Sequence, residues 1–165
     1  FSSYGVNTLG VKESTASMIL SAAYISFIIF ALPAGMLAAR IGRKRTIMIG
    51  LALFAAVLVA AFFMPFVPVV IALLAVGGFA WALVNINGLP MVLDTSTTED
   101  MMGTFTGLYF IAATLAGALG PTFNGWVIDL MGGNYAMIFV VSPAFFALGF
   151  LLMMGVTKGE AKTQG

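Results

Sequence analysis

Four long stretches of this chain hold no charged side chain: residues 14–39, 46–93, 101–128 and 130–157. A helix rises 1.5 Å per residue, so about 20 apolar residues cross a hydrocarbon core and each stretch holds at least one crossing. The longest, 46–93, holds two, divided at "MPFVP" (64–68), where Pro65 and Pro68 interrupt helical hydrogen bonding. The pattern predicts five spans, near 17–39, 46–64, 68–93, 102–128 and 134–157. All are expected to be helices, because a helix satisfies its own backbone in lipid. The alternation over about ten residues that a β-barrel strand needs is absent. A soluble domain carries roughly a quarter charged residues; here the share is 8%, with 61% hydrophobic residues. The expected fold class is therefore all-α integral membrane protein.

The remaining composition narrows function by exclusion. A net charge of +1 gives nucleic acid no basic face to meet, and the chain has neither cysteine nor histidine. Disulfides, thiolate metal sites and the usual proton shuttle are thereby removed. No cofactor or metal is expected. An enzyme would need a nucleophile with a base, a metal cluster or paired carboxylates near the midplane, and this inventory supplies none. The chain opens on Phe1 with "FSSYGVNTLG", which reads as the outer end of an earlier helix.

Five crossings put 40–45, 94–100 and 158–165 on one side of the membrane. Six of the seven Lys and Arg residues lie there, and only Lys12 lies opposite. Cationic loops stay cytoplasmic, which predicts a cytoplasmic C-terminus in a cell (inner) membrane. The densest cluster is "GMLAARIGRKR" (35–45), with Arg40, Arg43, Lys44 and Arg45 in six positions. Gly35 and Gly42 are expected to flank a short reversal there, leaving helix-end carbonyls for the arginines to cap. Topology alone also accounts for a basic inner loop.

The order Gly35-x-Leu37-x-x-Arg40-x-Gly42-Arg43-Lys44-Arg45 resembles the signature loop of the major facilitator superfamily of secondary transporters. In that family the loop joins the second and third helices of each six-helix half and helps latch the halves together. The family's acid before the first arginine is Ala39 here. The resemblance implies five helices of a six-helix half, with residues 1–157 a partial transporter domain and 158–165 a cytoplasmic tail. It implies partners too: the lipid bilayer, an N-terminal half outside this sequence, a small-molecule solute and a coupling proton or cation. "NINGLPMVLD", "GTFTGLYF" and "GPTFNGWVID" resemble helices ten and eleven of the glycoside–cation and sucrose-type symporters. With the short tail "KGEAKTQG", this favours helices eight to twelve. Gly117-x-x-Gly120-Pro121-x-x-x-Gly125 resembles an antiporter motif of helix five, which keeps helices two to six as the alternative.

Helix faces divide the spans. On the first, Ser17, Ser21, Tyr24, Ile28, Ala31 and Gly35 lie within about 40° of one line at 100° per residue. On the fourth, Thr106, Tyr109, Ala113, Gly117, Gly120 and Asn124 share a face; the third offers Gly77, Trp81 and Asn85 at i, i+4 spacing. Asn87 points roughly 160° away from Asn85 on an unbroken helix. The second span, and the fifth apart from Ser142, are plain enough to face lipid all round. Small residues also recur where membrane helices touch, so packing and solute contact both stand as readings of the polar faces. The substrate-binding candidates are Tyr24, Trp81, Asn85, Tyr109 and Asn124. Prolines inside the spans remove backbone bonds, and Gly88, Pro90, Gly120 and Pro121 are candidate bending and gating points for the rocking of one half against another.

No ionisable group lies deep in a span, and Asp94 and Asp129 sit at opposite edges. Intramembrane carboxylates are costly and functional where they occur, so any coupling acid is expected in helices outside this sequence. The expected activity is secondary active transport of a small organic solute, a sugar or similar, by alternating access, with symport the mode that the resemblance implies. A non-transporting receptor or scaffold on the same fold, and an antiporter or efflux carrier, are the alternatives.

Overall fold

A helix must hydrogen-bond its own backbone to cross lipid, and in the computed structural model, which describes residues 1–96 and 99–160, five helices meet that demand. A short α1 (Ser2–Asn7) is followed by α2 (Glu13–Ile41), α3 (Arg43–Phe63), α4 (Val67–Leu93), α5 (Glu99–Leu130), a 3-10 turn (Tyr135–Met137) and α6 (Ile138–Met154). The five long segments are apolar enough and long enough to span a bilayer, and no strand occurs among the described residues. Of the C-terminal tail, residues 161–165 lie outside the described residues, as do Thr97 and Thr98 in the loop before α5.

Successive helices run in opposite directions. At one end, here called the basic end, the α2–α3 turn, the C-terminus of α4 and the C-terminus of α6 meet. At the far end, Tyr4 of α1, Ala61 of α3 and Phe139 of α6 form a buried cluster, with the Tyr4 and Phe139 rings edge-on at 4.7 Å. Helix α2 begins at Glu13, about a turn before its apolar stretch, because an acid in the first turn is favoured by the helix dipole. The last helix stops at Met154 rather than 157, and residues 155–160 fold back instead.

Helix α4 is the hub, packed on α2 along one side and on α3 along the other. No hydrophobic effect drives helices together in lipid, so close backbone approach and interhelical hydrogen bonds must do it. Gly78 provides the approach: its Cα faces the Ala23 carbonyl of α2 so closely that a Cβ would lie 2.9 Å from Ala23 C. Ser26 on α2 donates to the Ala75 carbonyl of α4 at 2.5 Å. Ala34, Ala82 and Leu83 are fully buried beside them. On the other side, a Cβ at Gly50 of α3 would lie 2.8 Å from the Ala80 carbonyl.

Two expectations from the helix faces are corrected here. The plain helix α3 does not face lipid all round; it is wedged between α4 and α6, with Thr46, Ile47, Gly50, Val57 and Ala61 buried. Small apolar residues suffice for that contact, so the lack of polar groups was no sign of exposure. The polar-faced α5, by contrast, is the least enclosed span, and apart from its own backbone no described residue comes within 4 Å of where a Cβ would stand on Gly103, Gly107, Gly117, Gly120 or Gly125.

Candidate solute site and the basic end

The turn between α2 and α3 is a single residue. Gly42 takes φ 93°, ψ 149°, a conformation open to glycine, and caps both helices. Gly35 does not flank the reversal: α2 runs through it, and its Cβ position meets Ile86 at an ordinary 3.8 Å. Three cations then open α3, where the dipole already places positive charge. The compensating anion comes from beyond α6. Glu160 accepts the backbone N–H of Arg43 through Oε2 at 2.8 Å and that of Lys44 through Oε1 at 2.9 Å. In return Lys44 Nζ donates to the carbonyls of Met154 and Val156 at the end of α6, at 2.8 and 2.7 Å. Each helix end thus receives the charge its dipole favours. Arg43 pairs with Asp94, the C-cap of α4. The expected capping of carbonyls by arginines is therefore corrected: a lysine does it, and on α6. Arg40 and Arg45 are exposed and make no ion pair with a described residue.

Three of the five solute candidates converge. Trp81 and Asn85 of α4 and Tyr109 of α5 line one cavity of about 730 Å³ between α3, α4, α5 and α6, with Gly88 and Gly117 also on its wall. Gly88 makes room for the Tyr109 ring, since a Cβ there would lie 3.2 Å from Tyr109 Oη. The Trp81 ring is held by Phe54 at 5.9 Å and Phe146 at 6.4 Å. That aromatic cluster fixes its orientation and separates this cavity from a smaller one, about 400 Å³, where Trp81 is joined by Tyr24. Tyr24 itself is 63% exposed on the uncovered face of α2.

Asn124 stands apart, lining two cavities toward the far end with Gly120 and Ser142. Its amide nitrogen donates to Gly120 O at 3.1 Å, while its buried Oδ1 has no donor among the described residues. Pro121 lies beside it within α5, and Pro90 within α4, each inside a continuous helix. Other polar groups of the lines predicted to face solute satisfy themselves on their own helix: Ser21 donates to Ser17 O and Thr106 to Met102 O.

Two residues beyond the five solute candidates matter. Asn87 is 3% exposed and donates to Leu83 O at 2.9 Å and, across the interface, to Ala34 O of α2 at 3.4 Å. The helical angle that separated it from Asn85 already placed it on a different face. Glu160 had no local signal, because its partners lie 116 and 117 residues away.

A family profile described as Major Facilitator Superfamily matches residues 2–165. An uncharacterized protein of Bacillus subtilis (strain 168), YqgE, is 33% identical over 94 residues, covering 55% of this chain and 21% of the relative. The matched region thus spans about a fifth of that relative's length. No solved structure matches the chain.

Proposed function

The chain belongs to the major facilitator superfamily, a family of transporters, and from that premise we propose that it forms most of one half of a secondary active transporter for a small organic solute. The observation that carries this is the convergence of Trp81, Asn85 and Tyr109 on one cavity. An indole face, an amide and a phenol are the groups that hold a small hydroxylated solute: the aromatics stack on its apolar faces and the amide bonds its hydroxyls. Pockets for such ligands are mostly apolar, with a few placed polar groups. In this reading the basic end is cytoplasmic, the chain corresponds to helices eight to twelve, and the other half closes the cavity from the side that α5 leaves open. Rocking the halves about that site exposes it to each side in turn. A sugar-like solute moved by symport is the finer form of the proposal, with the coupling acid outside this sequence.

Proteoliposomes carrying the full-length protein test it. Uptake of labelled hexoses should saturate, and Asn85→Leu and Tyr109→Ala should each lower it at least tenfold while leaving the protein folded. Uptake insensitive to both substitutions, or ligand binding without any flux, would overturn the reading.

A further inference from the structure

Among the described residues that line the cavity holding Trp81, Asn85 and Tyr109, the charged one is Lys158. It belongs to the segment after α6, and the chain is pinned on both sides of it. Before it, the Met154 and Val156 carbonyls accept from Lys44. After it, Gly159 takes φ 88° and seats against α4, where a Cβ would lie 2.8 Å from Met91 Cγ. Then Glu160 binds the first amides of α3. Among the described side chains, the acids at this end are committed elsewhere, Asp94 to Arg43 and Glu160 to those amides. Lys158 makes no ion pair or hydrogen bond with a described residue. The result is a cavity lined by an indole, an amide and a phenol, with a lysine among its lining residues at the basic end that is uncommitted to any described residue.

We propose that Lys158 is a specificity-determining residue, which makes the cavity favour solutes bearing an anionic group. The solute class is then a small hydroxylated organic acid rather than a neutral sugar. Its hydroxyls meet Asn85 and Tyr109, its apolar face meets Trp81, and its carboxylate or phosphate faces Lys158. Glu160 acts as a positioning residue, holding the segment that carries the ammonium. This inference rests on the cavity being the solute site.

Glucuronate, glucose and glucosamine share a hexose ring and differ in charge, so their labelled forms are the probes, with the full-length protein in proteoliposomes. Glucuronate should be favoured over glucose by about fivefold in kcat/KM, the upper range for an exposed ion pair, and glucosamine should be the poorest. The preference should shrink as salt is raised, because exposed charges are screened. Lys158→Gln should abolish it through KM with kcat retained, whereas Lys158→Arg should keep it. Glu160→Ala, which leaves the ammonium present but unpins the segment, should lower it part of the way. Equal uptake of all three sugars, or a glucuronate preference that survives Lys158→Gln, overturns the role of Lys158 and leaves the solute site standing. Uptake of none of the three by folded protein overturns the solute site and this inference together.

Discussion

Gly77 and Gly78 are neighbours with the same side chain, yet a methyl group added to each should have opposite consequences. At Gly78 the new Cβ would lie 2.9 Å from Ala23 C and 3.0 Å from Ala23 Cα, with the Ala23 oxygen nearer still. Carbon atoms rest at about 3.5–4.0 Å, so α2 and α4 would have to part by at least about 0.5–1 Å. Backbone cannot rotate aside as a side chain can. Overpacking of this kind costs about 1–3 kcal/mol. The same parting stretches Ser26–Ala75 and breaks the already long 3.4 Å bond from Asn87 to Ala34, each interhelical bond contributing about 0.6 kcal/mol in a membrane. The expected loss for Gly78→Ala is therefore about 2–4 kcal/mol. At Gly77 the Cβ would meet Val57 Cγ1 at 3.6 Å and Phe54 Cε2 at 3.7 Å, ordinary contact, so Gly77→Ala should fall within about 0.5 kcal/mol of the unaltered protein. Reversible unfolding of the full-length protein in mixed detergent micelles gives both values. Because the two variants change helix propensity equally, their difference isolates the contact. A Gly78→Ala variant as stable as Gly77→Ala would refute the close α2–α4 crossing.

Glu160→Ala should speed hydrogen exchange at the Arg43 and Lys44 amides by about tenfold, since a hydrogen bond to a charged group contributes about 1.5–3 kcal/mol and part of that is recovered from water; protection unchanged by mass spectrometry would disprove the clasp. Asn87→Leu should cost about 0.6 kcal/mol and at most about 1.7, with solute uptake retained, whereas Asn85→Leu should leave unfolding unchanged and lower uptake at least tenfold. A double-mutant cycle of Arg43→Gln and Asp94→Asn should give a coupling of about 0.2–1 kcal/mol, the range for a partly exposed pair; additivity of the two single changes would show that the pair contributes nothing.

The five spans were legible because lipid imposes a requirement that composition must meet: four charge-free stretches and one proline break leave little freedom in the number of helices. Their partners were not legible. The second span looked like lipid-facing helix because Ile47, Gly50, Val57 and Ala61 carry no polar mark, yet these residues pack it against α4 and α6. Helix association in lipid rests on shape, and shape is invisible in a string of apolar letters. The Gly77-Gly78 pair makes the same point, since only the crossing of α2 decides which glycine is constrained. Among solute candidates, the i, i+4 spacing of Trp81 and Asn85 placed them on one face correctly. It could not show that Tyr24 stands on the far side of an aromatic cluster from Tyr109, because that depends on Phe54 and Phe146 of two other helices.

The basic loop shows how a pattern can be right about place and silent about mechanism. The signature resemblance implied an acid at the position of Ala39, and its absence left four cations without a nearby anion. Two acids come from elsewhere in the chain, Asp94 from the end of α4 and Glu160 from beyond α6. They divide the cluster by function. Arg43 and Lys44 are held inward, tying α3 to α4 and α6, while Arg40 and Arg45 stay exposed and uncommitted to described residues. An acid at position 39 would sit on an exposed position of α2, near the negative end of its dipole, where a carboxylate is disfavoured. Glu160 instead sits at the positive end of α3. The exchange of one site for the other therefore gains on the dipole, but it makes the fold of this end depend on the segment after α6. Removing residues 155–165 should loosen the α2–α3 turn although no span is touched.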